Sequence, residues 1–302
     1  MSCPFCNSTQ QKKSFYPKND FNNTVFNYIT CEACDLTYLN PLPNADDYDK
    51  MYPHQYQNNT VEKSIQPDWY QKLPGLRFSY GYQFDLIKKY VGQNASIMDY
   101  GCGNAHFIVN AQKAGFKCTG AEYNPQYVQV LNQHLEDISC VTIDNLLSQS
   151  SSVKYDAIRL SNVLEHLTLP NEVIQTLINS LDCDGILLVE GPIEHNFSLA
   201  QTFRNTYFAI SKLLNPNRTI QFPPYHIFFS NAKNQKVFFE KLGLKELVFV
   251  VEENTWPFPA SFQEAQGTQQ KIMAIVAKIS IGFTHIFSKK WGNTFIYVGK
   301  KP

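Results

Sequence analysis

The stretch Ser96-Ile-Met-Asp-Tyr-Gly-Cys-Gly-Asn-Ala105 runs from a short apolar segment into a glycine-rich turn, and the turn opens a helical pattern. Nineteen positions beyond Gly103 stands Glu122, at the end of a second apolar run, Lys117 to Tyr123. Strand, glycine turn, helix and an acidic residue closing the next strand form the layout of a nucleotide site in a doubly wound α/β domain. Gly101 and Gly103 permit backbone angles that a Cβ would forbid and let the chain pass close to a ligand. A carboxylate at Glu122 can accept hydrogen bonds from both hydroxyls of a ribose. The first expectation is therefore an adenosine-containing cofactor.

The alternation continues outward from this segment. Strands are expected at 96–101, 117–123, 140–143, 155–161 and 185–191, with helices at 104–115, 125–136 and 170–182. Such alternation gives a parallel sheet covered on both faces, and ligands bind at the carboxyl ends of its strands. Asp99, Glu122, Asp144, Asn162 and Glu190 lie at or near those ends. An insertion at about 193–224 breaks the pattern after the fifth strand and is expected to cap the site. A helix from Asn231 to Leu242 and strands from Lys245 to Glu252 and Thr294 to Lys300 would complete a seven-stranded sheet. Ile272 to Phe287 reads as a packed helix, although its lysines and Trp291 also permit a dimer or membrane-surface face. Upstream, Leu76 to Val91 has a helical pattern ending at Gly92, with Arg77, Tyr80 and Tyr82 either near the cofactor or merely packed.

A nicotinamide site favours G-x-G-x-x-G, but the corresponding run here, Gly101-Cys-Gly-Asn-Ala-His106, ends in His. Asp99, two positions before Gly101, instead gives the form D-x-G-x-G. That form resembles motif I of the class I S-adenosylmethionine-dependent methyltransferases, with Ala105 where the family usually has a third glycine. Tyr155-Asp-Ala-Ile-Arg-Leu-Ser-Asn-Val-Leu-Glu-His166 resembles the family's fourth strand and its continuation. Leu181 to Pro192 resembles its fifth strand, and Pro224-Tyr-His-Ile-Phe-Phe-Ser230 the lead into its last helix. The resemblance implies a Rossmann-like fold over about 96–302. It places the methionine portion of the cofactor on Asp99, Gly101 and Gly103, the ribose on Glu122, the adenine amino group by Asp144 and the methyl-transfer channel by Asn162. Asp144 also reads as an ordinary turn residue. Methyl transfer from a sulfonium needs close positioning and, for many acceptors, removal of a proton. His226 is the leading proton acceptor, with His195 and Tyr225 as alternatives, while His166 is expected to pack or cap.

The first 45 residues carry a separate signal. Cys3-x-x-Cys6 and Cys31-x-x-Cys34 are C-x-x-C pairs with 24 residues between them. This spacing suits four thiolates on a structural zinc ion, with a zinc ribbon formed by the segment between the pairs. Two disulfides or metal-free thiols are the alternatives. Asn40-Pro-Leu-Pro43 marks the exit, and residues 46–75 read as an irregular connector before the helix that leads to residue 95. A zinc ribbon followed by such a segment resembles the front end of methyltransferases that act on sugars or other metabolites. The expected acceptor is therefore a small molecule, with O-, N- and C-methylation all open.

Net charge is zero, with 26 basic and 26 acidic residues. Residues 1–50, the ribbon and the start of the connector, hold four Lys and no Arg against five Asp and one Glu. An RNA methyltransferase using the ribbon as its RNA-binding module is the alternative reading, and this charge disfavours it. No signal peptide is evident and no apolar run reaches the roughly 20 residues of a membrane span, so a cytoplasmic enzyme is expected.

Overall fold

The computed structural model describes residues 2–52, 80–135, 137–148, 153–216, 219–220, 223–253, 267–286 and 291–302. Leu76, Arg77 and the 53–75 part of the expected connector lie outside the described residues, as does the end of the Ile272 to Phe287 helix.

The N-terminal region forms β1 (Gln11–Lys13), β2 (Lys18–Phe21), β3 (Thr24–Cys31) and β4 (Thr37–Asn40), all antiparallel around β3. Next comes α1 (Ala45–Met51), where the sequence suggested only an irregular connector. The helix starts with a reciprocal cap: the Asn44 side chain accepts the Asp47 N–H, and the Asp47 carboxylate accepts the Asn44 N–H. The helix before the core, α2, covers Tyr80–Val91.

The core alternates as expected, through β5 (Ser96–Tyr100), α3 (His106–Lys113), β6 (Lys117–Glu122), α4 (Pro125–His134) and β7 (Ser139–Thr142). Pro125 at the first turn and the Asn124 side chain, which accepts from the Gln126 and Tyr127 amides, fix the start of α4. A short α5 (Ile143–Ser148), absent from the sequence reading, precedes β8 (Tyr155–Ser161), α6 (Pro170–Asn179) and β9 (Leu181–Pro192). The segment expected to cap the site contains α7 (Leu199–Leu214) and β10 (Thr219–Ile220), and β11 (Phe228–Phe229) follows it. The chain ends with α8 (Ala232–Glu240), β12 (Lys245–Glu252), α9 (Gly267–Ile286) and β13 (Thr294–Lys300).

Seven strands form the main sheet in the order β12-β13-β9-β8-β5-β6-β7. The five strands β5 to β9 are parallel, whereas β13 inserts antiparallel between β9 and β12. The order reverses between β5 and β8, which is the topological switch point where such sheets bind ligands. Apolar side chains cover both faces. One cluster contains Ile97, Ile108, Leu131 and Leu188. The other joins Tyr100, Leu160, Phe238 and Tyr297 to Phe5, Cys31 and Leu36 of the N-terminal region. That region is also tied to the cap and the strand after it, because β10 pairs with β2 and β11 with β4. Among the described residues, no helix is long and apolar enough to cross a membrane.

Candidate active site

The turn after β5 places its glycines for two different reasons. Gly101 has φ of +75°, and a Cβ there would lie 2.5 Å from Val163 Cγ2, in the loop after β8. A side chain would thus push apart the two loops that flank the switch point. Gly103 also has positive φ, +52°, but nothing lies within 4 Å of where its Cβ would be. It leaves open space along the turn. Glu122, buried at the end of β6, accepts the Gly103 N–H at 2.9 Å and the Tyr123 N–H at 2.8 Å. The carboxylate expected at the ribose therefore faces the glycine turn. Asp144 is exposed in the first turn of α5. Asn162, also exposed, has φ of +52°, and its amide N–H donates to the Glu190 carbonyl at 3.0 Å.

Beneath the turn lies a buried polar network. Arg159, in the middle of β8, donates from Nη1 to Asp99 Oδ1 at 2.7 Å and from Nε to Gln83 Oε1 at 2.6 Å. Gln83 Nε2 donates to Glu190 Oε2 at 2.6 Å, and the guanidinium lies 3.9 Å from the centre of the Phe107 ring. Burial pushes the Asp99 carboxyl above its ordinary range, and the Arg159 charge opposes that shift. Asp99 thus has Arg159 as its direct partner, a contact that the glycine motif does not reveal.

A histidine-rich group occupies the neighbouring strand ends. His226 Nδ1 lies 2.9 Å from Glu194 Oε2, just beyond β9. His166, in the single 3-10 turn Leu164–His166 after β8, sits with its ring perpendicular to that of His226, at 4.9 Å between centres. His166 Nδ1 lies 2.7 Å from the Tyr225 carbonyl and 2.9 Å from the Tyr52 hydroxyl. Tyr48 donates from its hydroxyl to the His166 carbonyl, so α1 forms one wall of this group. Burial raises the Glu165 carboxyl to about 7, opposed by the nearby His226. Burial also lowers His166 to about 4, helped by the His226 charge. His195 lies apart from the His226 pair in its packing. Its ring packs among Phe15, Tyr16 and Phe229, at 5.5, 5.3 and 6.3 Å.

Comparison with known sequences agrees with this arrangement. Residues 77–247, more than half of the chain, match the family model described as a methyltransferase domain. The chain belongs to the methyltransferase domain family. Its curated relatives include the ubiquinone biosynthesis O-methyltransferase of Hydrogenovibrio crunogenus, 24% identical over 182 residues, which are 59% of this chain and 72% of that protein. The ribosomal protein L11 methyltransferase of Thermosipho africanus is 24% identical over 139 residues, covering 43% of this chain and 52% of that protein. Among solved structures, a SAM dependent methyltransferase from Archaeoglobus fulgidus is similar with a TM-score of 0.45 and 15% identity, covering 82% of this chain and 100% of that one. With the family match over residues 77–247, the protein is a class I S-adenosylmethionine-dependent methyltransferase built on a seven-stranded sheet.

The methyltransferase also carries the four-cysteine group. Cys3 and Cys34 Sγ atoms are 3.6 Å apart and those of Cys6 and Cys31 3.5 Å apart. Four thiolates around tetrahedral zinc, each about 2.3 Å from the metal, stand about 3.8 Å from one another. The pairs are far beyond the roughly 2.0 Å of a disulfide bond, and all four residues are free cysteines. The Cys3–Cys34 contact lowers one thiol of the pair, Cys3, below its ordinary range and raises the other, Cys34.

Four participants in the methyltransferase site are missing from the motif reading. Tyr48 arrives on α1 and Tyr52 directly after it, Glu194 pairs with a histidine 32 positions away, and Arg159 occupies a strand interior. Only the Asn44 to Asp47 cap was a readable sequence signal for any of them.

Proposed function

We propose that this methyltransferase transfers the methyl group of S-adenosylmethionine to a small-molecule acceptor, a sugar or another metabolite. The observation that carries this reading is the His226–Glu194 pair, seated beside the switch point. An ionised carboxylate accepts only, so Glu194 fixes the His226 tautomer with the proton on Nδ1 and the lone pair on Nε2. Such a nitrogen takes the acceptor's proton as the acceptor attacks the methyl carbon. The thioether then leaves neutral. In this reading the Gly101–Gly103 backbone, above Asp99, holds the methionine portion and Glu122 holds the ribose. Asp144 meets the adenine, and Asn162 lines the methyl path. Tyr225 and His195 support the acceptor side, Tyr225 through its carbonyl on His166. Cys3, Cys6, Cys31 and Cys34 hold a structural zinc ion that fixes the N-terminal strands against the core.

The test is transfer of radioactive methyl groups from labelled cofactor to a panel of hydroxylated and amine metabolites, for the natural protein and His226→Gln. A general base contributes about 10²–10⁴ in rate. The variant should lose at least about 100-fold in kcat while keeping its cofactor affinity. An unchanged kcat on a good acceptor would remove His226 from the mechanism.

A further inference from the structure

We propose that Glu165, His166 and His226 form a divalent-cation site on the acceptor side of the sheet. One ligand-capable atom of each residue lies within 4.8 Å of those of the other two. Two imidazoles and one carboxylate form a ligand set suited to first-row divalent cations, with coordination positions left for oxygen ligands. This inference rests on the methyltransferase reading for its use, and it narrows the acceptor class.

Three features distinguish the group from an ordinary polar cluster. Each imidazole has its Nδ1 against an acceptor, Glu194 Oε2 at 2.9 Å for His226 and the Tyr225 carbonyl at 2.7 Å for His166. Metal-binding histidines are held in this way, by a carboxylate or carbonyl on one nitrogen that directs the other nitrogen's lone pair to the cation. His166 Nε2 accordingly turns towards Glu165, at 3.7 Å from Oε1. That separation is beyond a normal hydrogen bond and leaves room for an ion to draw the two atoms in. Finally, the Glu165 side chain is only 5% exposed, whereas those of His166 and His226 are 23% and 26% exposed. The carboxylate anchors the site from within and the histidine side opens outward.

A cation here selects an oxygen acceptor. It would bind a hydroxyl, together with a neighbouring oxygen where the acceptor has one, and lower the pKa of that hydroxyl. The hydroxyl proton goes to water, the oxygen–carbon bond forms as the carbon–sulfur bond breaks, and the thioether departs neutral. His226 Nε2 is therefore the proton acceptor in the ion-free protein and a ligand once the ion is bound, when the ion takes over the ionisation of the hydroxyl.

The test is titration with Mn²⁺ of protein stripped to one zinc per chain by a weak chelator, so that only the cysteine group holds zinc, following the paramagnetic resonance signal of the free ion. Mn²⁺ favours oxygen ligands over thiolates, so it leaves the zinc-filled cysteine group aside. The natural protein should bind one Mn²⁺ per chain. His226→Gln and Glu165→Gln should each weaken binding at least about 10-fold, and Glu194→Gln, which alters only the histidine's support, by about 10-fold. Circular dichroism of each variant checks that it is folded. No Mn²⁺ bound by the natural protein at millimolar concentrations, or binding that folded His226→Gln and Glu165→Gln leave unchanged, would overturn the site. Titration of the same samples with S-adenosylhomocysteine tests the cofactor reading separately.

Discussion

Replacing Arg159 by Met removes the positive charge from the buried network under the glycine turn while keeping most of the side-chain volume. The Arg159 and Asp99 side chains are 6% and 2% exposed, so solvent screens their interaction little. The substitution breaks the 2.7 Å contact to Asp99 and the 2.6 Å contact to Gln83, and removes the cation 3.7 Å from Glu190. Breaking a buried pair from one side costs about 3–5 kcal/mol, chiefly because the remaining carboxylate is left buried and uncompensated. For a chain of this size that corresponds to roughly 5–8 °C in melting temperature. Burial already holds the Asp99 carboxyl above its ordinary range, and loss of Arg159 drives it further up. A carboxyl raised in the folded state contributes stability below its unfolded pKa and loses it as pH rises through the folded value. The deficit should therefore be largest at pH 8 and shrink towards pH 5. Urea denaturation across that range measures it, and adding Asp99→Asn should recover part of the loss at pH 8. A deficit below about 1 kcal/mol that does not vary with pH would refute the role of Arg159 as the charge that neutralises the base of the site.

Gly101→Ala should destabilise the protein by about 1–2 kcal/mol from its left-handed backbone alone. The 2.5 Å approach to Val163 adds to that cost, so Val163→Ala should rescue only the steric part in a denaturation experiment. Burial raises Glu253 to about 7, even though the Ser198 hydroxyl donates to it at 2.7 Å. Its contribution to stability is thus present below about pH 4.3, its usual unfolded value, and is lost as pH rises through about 7. Glu253→Gln should accordingly be stabilising relative to the natural protein at pH 8 and less so at pH 5, as measured by urea midpoints. Metal analysis of protein purified without added metal should give about one zinc per chain. Cys34→Ser should lower the zinc content and the melting temperature together, and full zinc retention would remove Cys34 from the ligand set.

The parallel sheet was legible because its strands are short apolar runs, and two of the intervening helices carry a start signal, Asn124-Pro125 before α4 and Pro170 in the first turn of α6. Glu122 was legible by its distance from the glycines, and the structure turns it towards Gly103. The four cysteines were legible from two short spacings, and they do converge. What escaped was set by contacts between distant segments. Tyr48 and Tyr52 lie in a stretch rich in Tyr, Asn and Pro, where a helix capped by Asp rather than Glu is easily overlooked. Arg159 sits in the middle of β8 and makes sense only once Asp99, Gln83 and Glu190 surround it. The pairings of β10 with β2 and β11 with β4 involve strands of two residues, too short to leave a period in the sequence.

The central claim is that the glycine turn and Glu122 bind S-adenosylmethionine. Calorimetric titration with S-adenosylmethionine, S-adenosylhomocysteine and NAD, repeated on Glu122→Ala, tests it most directly. Hydrogen bonds to a charged group contribute about 1.5–3 kcal/mol, so the variant should bind both sulfur cofactors about 10- to 150-fold more weakly. The account predicts that weakening, and no binding of NAD by either protein. Binding of NAD alone, or affinity for the sulfur cofactors that is unaffected by Glu122→Ala, would contradict it.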